Sequence, residues 1–172
     1  NSQLLVQTLE GMPLLDGRYE QIKWINVGSA TAKRGCFSLV FKAFDRIDEK
    51  LVALKFFDID PTLLLDRYRR EAFRREHGIL QNLIGRERCL QIASALSTYK
   101  LDVFAGGSMT ATIPCEYFAV EWLEHEIDEY FQEQDKHDAL SKLRLFNNVV
   151  LAIEALHRHE VFHRDVKPDN LR

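Results

Sequence analysis

Three cysteines, four prolines and eight glycines are few for 172 residues, and each scarcity removes a class of structure. Cys36, Cys89 and Cys115 are odd in number, widely spaced and free of any Cys-x-x-Cys pair. Neither a disulfide framework nor a thiolate metal site is therefore encoded, and a reducing compartment, the cytoplasm, is expected. So little Gly and Pro excludes collagen-like and low-complexity chains. No apolar run approaches the roughly 18 to 20 residues that span a bilayer, and the first residues lack the basic and apolar regions of a signal peptide, so no membrane partner is expected. An excess of positive charge is missing too. The 23 Lys and Arg against 26 Asp and Glu leave −3, which gives no pull toward polyphosphate, so no nucleic acid partner is expected. What the chain does have is a hydrophobic fraction of 46% beside a charged fraction of 28%, enough for a packed core. Its length fits one domain, or one domain and a piece, at about 150 residues per domain. The start at Asn1 and the stop at Arg172, just after a polar run, lead to the expectation of a fragment.

The patterning is that of strands first and helices afterwards. Tyr19–Val27 and Phe37–Phe44 are rich in aromatic and β-branched residues, and the glycine-flanked stretch Gly28–Gly35 between them reads as a long hairpin loop. A polar turn at Asp45–Lys50 leads to a third apolar run, Leu51–Phe57. From Asp66 to Ile84 the apolar residues recur at three- and four-residue steps, which predicts a helix preceded by Pro61. Five arginines lie between Arg67 and Arg75, with Glu71 four residues from both Arg67 and Arg75, which predicts a mostly solvated, ion-paired face. Two further strands are predicted at Ala95–Phe104 and Tyr117–Glu121, separated by Gly106-Gly107-Ser108. A short helix near Ile127–Gln134 and a longer amphipathic one through Leu140–Leu156 complete the chain. This block order favours an α+β fold in two lobes over a parallel α/β sheet.

The string with the most chemistry is His163-Arg164-Asp165-Val166-Lys167-Pro168-Asp169-Asn170. Within six residues it sets a carboxylate, an ammonium and a carboxamide, groups suited to a hydroxyl proton, a phosphoryl oxygen and a metal ion. The whole string resembles the catalytic loop of the eukaryotic-type protein kinase family, in which a His-Arg-Asp triplet is followed by an Asn. Val52-Ala53-Leu54-Lys55 is similar to that family's third-strand motif. A lysine between Leu54 and Phe56 is costly unless paired. Glu76 on the following helix is the expected partner and Glu71 the competitor.

The resemblance implies further roles. Gly35-Cys36-Phe37-Ser38-Leu39-Val40 matches the second half of the glycine-rich loop, with Ser38 in place of the last glycine. Gly28 lies seven residues before Gly35 instead of two, so the loop tip is longer and includes Lys33 and Arg34. Tyr117–Glu124 looks like the last strand and hinge. It implies Val120 at the back pocket, the Glu121 carbonyl and Leu123 amide at the adenine edge, and Val40 and Ala53 over the ring. Arg172, two residues past Asn170, departs from the apolar floor usual in the family.

The fold implied is a kinase-like α+β arrangement: a five-stranded antiparallel N-lobe sheet with one helix over 19–121, a hinge at 122–124, and the start of a helical C-lobe over 125–172, behind an N-terminal extension at 1–18. The function implied is serine/threonine protein kinase activity, since Lys167 follows Asp165 by two. ATP and Mg2+ are the expected cofactors. Asp165 would orient the hydroxyl and accept its proton, Lys167 would neutralise charge, Asn170 would hold the metal, and Lys55 with Glu76 would fix the phosphates. Arg164 would allow control by phosphorylation. Partners would be a protein substrate with a Ser or Thr hydroxyl and the rest of the C-lobe, including the Asp-Phe-Gly segment, without which the fragment would be inactive. A nucleotide-binding pseudokinase or regulatory scaffold, favoured by the altered loop and Arg172, and a small-molecule phosphotransferase of kinase-like fold remain as alternatives. A P-loop NTPase is excluded, as no Gly-x-x-x-x-Gly-Lys-Ser/Thr occurs.

Overall fold

The computed structural model describes residues 2–25, 38–59, 66–125, 127, 139–167 and 170–171. The chain divides into two compact units, Asn1–Gln81 with Ile92–Trp122, and Asn82–Gln91 with Leu123–Arg172. In the first, strands β1 (Tyr19–Ile25), β2 (Ser38–Asp45), β3 (Lys50–Phe57), β4 (Ser97–Ala105) and β5 (Ser108–Glu121) form one antiparallel sheet in the order β1-β2-β3-β5-β4. The fold is therefore α+β, a five-stranded antiparallel sheet with helices, as in a kinase N-lobe followed by the start of a C-lobe.

Alternation along the strands sorts residues onto two faces. Val52, Leu54 and Phe56 of β3, Phe41 and Ala43 of β2, and Tyr117 and Ala119 of β5 belong to one buried cluster. Within it Phe56 stacks on Tyr117 at 4.6 Å and meets Phe41 edge-on at 5.6 Å, arrangements that add to area burial. This cluster is covered by helix α1 (Ser2–Glu10), whose Leu5 and Leu9, one helical turn apart, are buried in it. Two polar contacts anchor the helix, and a third ties down the segment that follows it. Ser2 Oγ donates to Asp58 at 2.5 Å, Trp24 N donates to Glu10 Oε1 at 3.0 Å, and the Tyr117 hydroxyl donates to Asp16. Burial, and then the Asp16 carboxylate, push the Tyr117 phenol well above its ordinary range.

The β2–β3 turn is locked by Asp45, which is fully buried. Its carboxylate accepts from the Ile47 and Asp48 amides at 3.0 and 3.3 Å, and from Arg18 Nε and Nη2 at 2.6 to 3.0 Å. Burial alone would raise the Asp45 carboxyl, but Arg18 and the two amides outweigh it and hold the group below the usual carboxylate range.

The other face carries Ala53, Lys55 and Phe57 of β3 and Glu116, Phe118 and Val120 of β5. Against it packs α2 (Asp66–Asn82), with Phe73 touching Phe57 and Phe118 at ring distances of 5.7 and 5.0 Å. The arginine-rich face of α2 is ion-paired: Arg67 with Glu71, Arg69 and Arg70 with Asp66, and Arg70 and Arg74 with Glu116. It is less solvated than its composition predicts, because Arg69 is buried and its guanidinium lies 5.6 Å from the Phe57 ring centre.

Several boundaries differ from the sequence reading, most of them by one or two residues. The helix ends at Asn82 rather than Ile84, where a turn at Leu83–Gly85 has Gly85 at φ 73°. β4 covers Ser97–Ala105 rather than Ala95–Phe104. β5 begins at Ser108 rather than Tyr117, because Gly106 and Gly107, both at positive φ, make a two-residue hairpin joining Ala105 to Ser108. The polar, exposed start of β5 hid that strand from an apolar-run criterion. The loop reading at Gly28–Gly35, Pro61, and all but Ile127 of the helix read at Ile127–Gln134 lie outside the described residues.

In the second unit α3 (Ala139–Arg158) has no buried residue, and its stripe of Leu140, Leu143, Phe146 and Val150 is exposed. The Ile127 amide donates to the Leu171 carbonyl at 3.1 Å. No helix among the described residues is long and apolar enough to cross a membrane.

Candidate active site

The candidate residues fall into two groups, one in each unit. The first starts from Lys55, which β3 must present on the α2 side of the sheet because its neighbours Leu54 and Phe56 fill the opposite face. Register sets Val40, Lys55 and Phe118 opposite one another across β2, β3 and β5, with Lys42, Ala53 and Val120 as the next row. Directly opposed residues share a face. Val40 and Ala53 thus stand on the same surface as Lys55, and Val120 is buried opposite Ala53. Ser38 opens β2 opposite Phe57.

Lys55 Nζ forms an ion pair and hydrogen bond with Glu76 Oε1. Glu76 arrives there because α2 buries Phe73 and His77 and so turns the intervening position toward β3. Glu71, on the outward side, pairs with Arg67 at 3.1 Å. The ammonium also lies 5.8 Å from the Phe118 ring centre. Phe118 joins the site without a motif to mark it; its place two residues before Val120 on an alternating strand is the signal the sequence offers.

His77 is buried beside Phe118, with ring centres 5.2 Å apart, and its Nε2 has no hydrogen-bond partner among the described residues. At the end of β5, Glu121 lies opposite Val52, and the Trp122 ring receives Lys42 Nζ at 4.6 Å from its centre. Neither Lys42 nor Trp122 was singled out in the sequence. Leu123, half-buried, begins the second unit's share of the chain there. Gly28, Gly35, Lys33, Arg34 and Arg172 lie outside the described residues.

The second group is a short loop after α3 that closes on itself. Arg164 is in the left-handed region at φ 61°, a conformation uncommon for a side chain of this kind. Beyond it the Asp165 amide donates to His163 Nδ1 at 3.4 Å. Asn170 Nδ2 donates to the Asp165 carbonyl at 2.8 Å and to its Oδ2 at 3.1 Å, while the Asn170 amide donates to the Lys167 carbonyl at 3.0 Å. Lys167 Nζ pairs with Asp165 Oδ2 at 2.9 Å. The Lys167 ammonium, with a smaller contribution from Asn170, holds the exposed Asp165 carboxyl below the usual carboxylate range, so it is ionised at neutral pH.

This donor set fits a hard divalent cation in part. With Nδ2 committed to Asp165, Asn170 has its amide oxygen left as an acceptor, the ligand type such cations take. No group of three His, Cys, Asp or Glu among the described residues could hold a metal on its own.

A strand lysine paired with a helix glutamate beneath a five-stranded antiparallel sheet, with a His-Arg-Asp loop following an amphipathic helix, is the layout of a protein kinase domain. Comparison with known families agrees: the protein kinase domain model matches residues 32–171, and the chain belongs to that family. Among its relatives, the carbon catabolite-derepressing protein kinase of Saccharomyces cerevisiae is 36% identical over 52 residues, 30% of this chain and 8% of that protein. Serine/threonine-protein kinase PksC of Streptomyces coelicolor is 27% identical over 94% of this chain and 26% of its own length. CBL-interacting protein kinase 11 of Oryza sativa subsp. japonica is 26% identical over 95% of this chain and 28% of its own. The chain thus spans less than a third of each.

Proposed function

We propose that this protein transfers the γ-phosphoryl group of ATP to a serine or threonine hydroxyl of a protein substrate. The observation that carries the reading is the Lys55–Glu76 pair, a cation held at a fixed place on a strand by a helix-borne carboxylate. Catalysis of this kind is chiefly positioning and charge stabilisation. Lys55, fixed by Glu76, binds the nucleotide phosphates, with Val40 and Ala53 against the adenine and the Glu121 carbonyl and Leu123 amide at its edge. Asp165, held by Lys167 and Asn170, accepts a hydrogen bond from the substrate hydroxyl, orients it and takes its proton as the oxygen attacks. Lys167 offsets negative charge on the group in transit. Asn170 supplies one oxygen ligand to magnesium, which when bound neutralises charge on the phosphates.

Because no group of His, Cys, Asp and Glu among the described residues makes a metal site by itself, residues 1–172 by themselves are expected to turn over ATP near background. The serine/threonine class rests on Lys167 and on relatives named serine/threonine kinases. A cytoplasmic setting suits the unpaired Cys89 and Cys115. The test is Asp165→Asn in the whole protein, with radiolabelled ATP and a Ser/Thr peptide library. Turnover should fall roughly 10² to 10⁴-fold, the worth of a positioned base, while ATP binding persists. Equal rates in the two proteins would remove Asp165 from the mechanism.

A further inference from the structure

The face of the sheet that carries Lys55 also holds an acidic group, Glu116, two residues before Phe118 on β5. It is 6% exposed, and a carboxylate so placed is costly unless compensated. The compensation comes from α2. Arg74 grips Glu116 with two parallel bonds, Nε to Oε2 at 3.0 Å and Nη2 to Oε1, and Arg70 Nη1 stands 3.7 Å away. Glu116 in turn raises the already high affinity of the Arg74 guanidinium for its proton. Arg70 is itself held by Asp66 at 3.6 Å and lies 5.2 Å from the Phe57 ring centre. The helix that delivers Glu76 to Lys55 is thus fastened to β3 at one point and, two residues earlier in the helix, to β5 by a bidentate ion pair with a defined planar geometry.

We propose that Arg74 and Glu116 are positioning residues for phosphoryl transfer: their ion pair sets the seat of α2 on the sheet and thereby keeps Glu76 on Lys55. This rests on the kinase reading above. It adds to that reading a second fastening of α2 to the sheet, on β5 rather than β3. A fork-and-carboxylate pair is directional: removing Arg74 leaves the buried Glu116 carboxylate with only the longer Arg70 contact, removing the Glu116 charge leaves Arg74 without its fork partner, and either change loosens the seat of α2 and with it Glu76.

The test uses the whole protein with Glu116→Gln, Arg74→Gln, and the exchanged pair Arg74→Glu with Glu116→Arg. Two readouts are taken: kcat/KM for ATP, and amide hydrogen exchange over residues 66–82 against the strands β1 to β3. Each single variant should lower kcat/KM for ATP roughly 3- to 30-fold. Combining Glu116→Gln with Glu76→Gln should add little, since both act through Lys55. Exchange should quicken in α2 while the strands keep their protection, and the exchanged pair should recover most of both losses. Wild-type kcat/KM and unchanged α2 protection in Glu116→Gln overturn the proposal, and so does faster exchange across the whole sheet, which marks a merely structural pair. If the unmodified protein transfers no phosphate, the kinase reading fails by itself, and the exchange arm still decides whether the pair seats the helix.

Discussion

Leu9 gives the sharpest test of how the sheet is covered. It is fully buried in the cluster formed by Phe41, Leu54, Phe56 and Tyr117, one turn from Leu5, whereas Leu4 on the same helix is 36% exposed. Truncating a buried leucine loses its transfer free energy and leaves a cavity, together about 2 to 5 kcal/mol. Leu9 is 0% exposed, so its whole side chain is withdrawn from water, which favours the upper half of that range. Leu4→Ala should stay within about ±0.5 kcal/mol. The assay is urea unfolding followed by tryptophan fluorescence. Both tryptophans, Trp24 and Trp122, lie in the first unit, so the signal reports that unit. A Leu9→Ala cost under about 0.5 kcal/mol, equal to that of Leu4→Ala, would refute the docking of α1 on the sheet.

Two further outcomes follow from buried polar groups. Because Asp45 titrates below its ordinary value in the folded protein, its contribution is present above the unfolded carboxyl's pKa, near 4, and is lost as pH falls through the lower folded value. Asp45→Asn should therefore cost roughly 1.5 to 3 kcal/mol at pH 7 and progressively less as the pH is lowered below about 4; a cost independent of pH would mean that the Arg18 pairing is not its source. His77→Leu removes a buried Nε2 that has no partner among the described residues and should leave stability unchanged or raise it by up to about 1 kcal/mol. A loss of about 2 kcal/mol or more, measured by the same unfolding assay, would show that the imidazole is satisfied after all.

Much of the fold was legible because the apolar runs at β1, β2 and β3 and the 3.6-residue stripe of α2 are local signals. Where the pattern was not apolar, legibility failed. The first half of β5, Ser-Met-Thr-Ala-Thr-Ile-Pro, is exposed except for the half-buried Ile113 and reads as loop until Gly106-Gly107 is seen as a hairpin turn. α1 carried only a short stripe in a segment read as an extension, and what stabilises it is a sheet face assembled from residues far along the chain. For the site, residue types and spacing favoured Glu76 over Glu71, five positions apart on one helix, without showing what holds the helix in that orientation. The seating of α2, which depends on Phe73 and on Arg74 meeting Glu116, turns Glu76 rather than Glu71 onto Lys55.

That pairing is also where the account is most exposed, and a double-mutant cycle on Lys55→Met and Glu76→Gln tests it directly. The readout is kcat/KM for ATP-dependent phosphoryl transfer by the whole protein, with Glu71→Gln as a control. Each single change should cripple transfer, the double variant should be little worse than either, with a coupling of about 0.5 to 3 kcal/mol, and Glu71→Gln should behave as wild type. Losses that simply multiply, or a Glu71→Gln defect as large as that of Glu76→Gln, would contradict it.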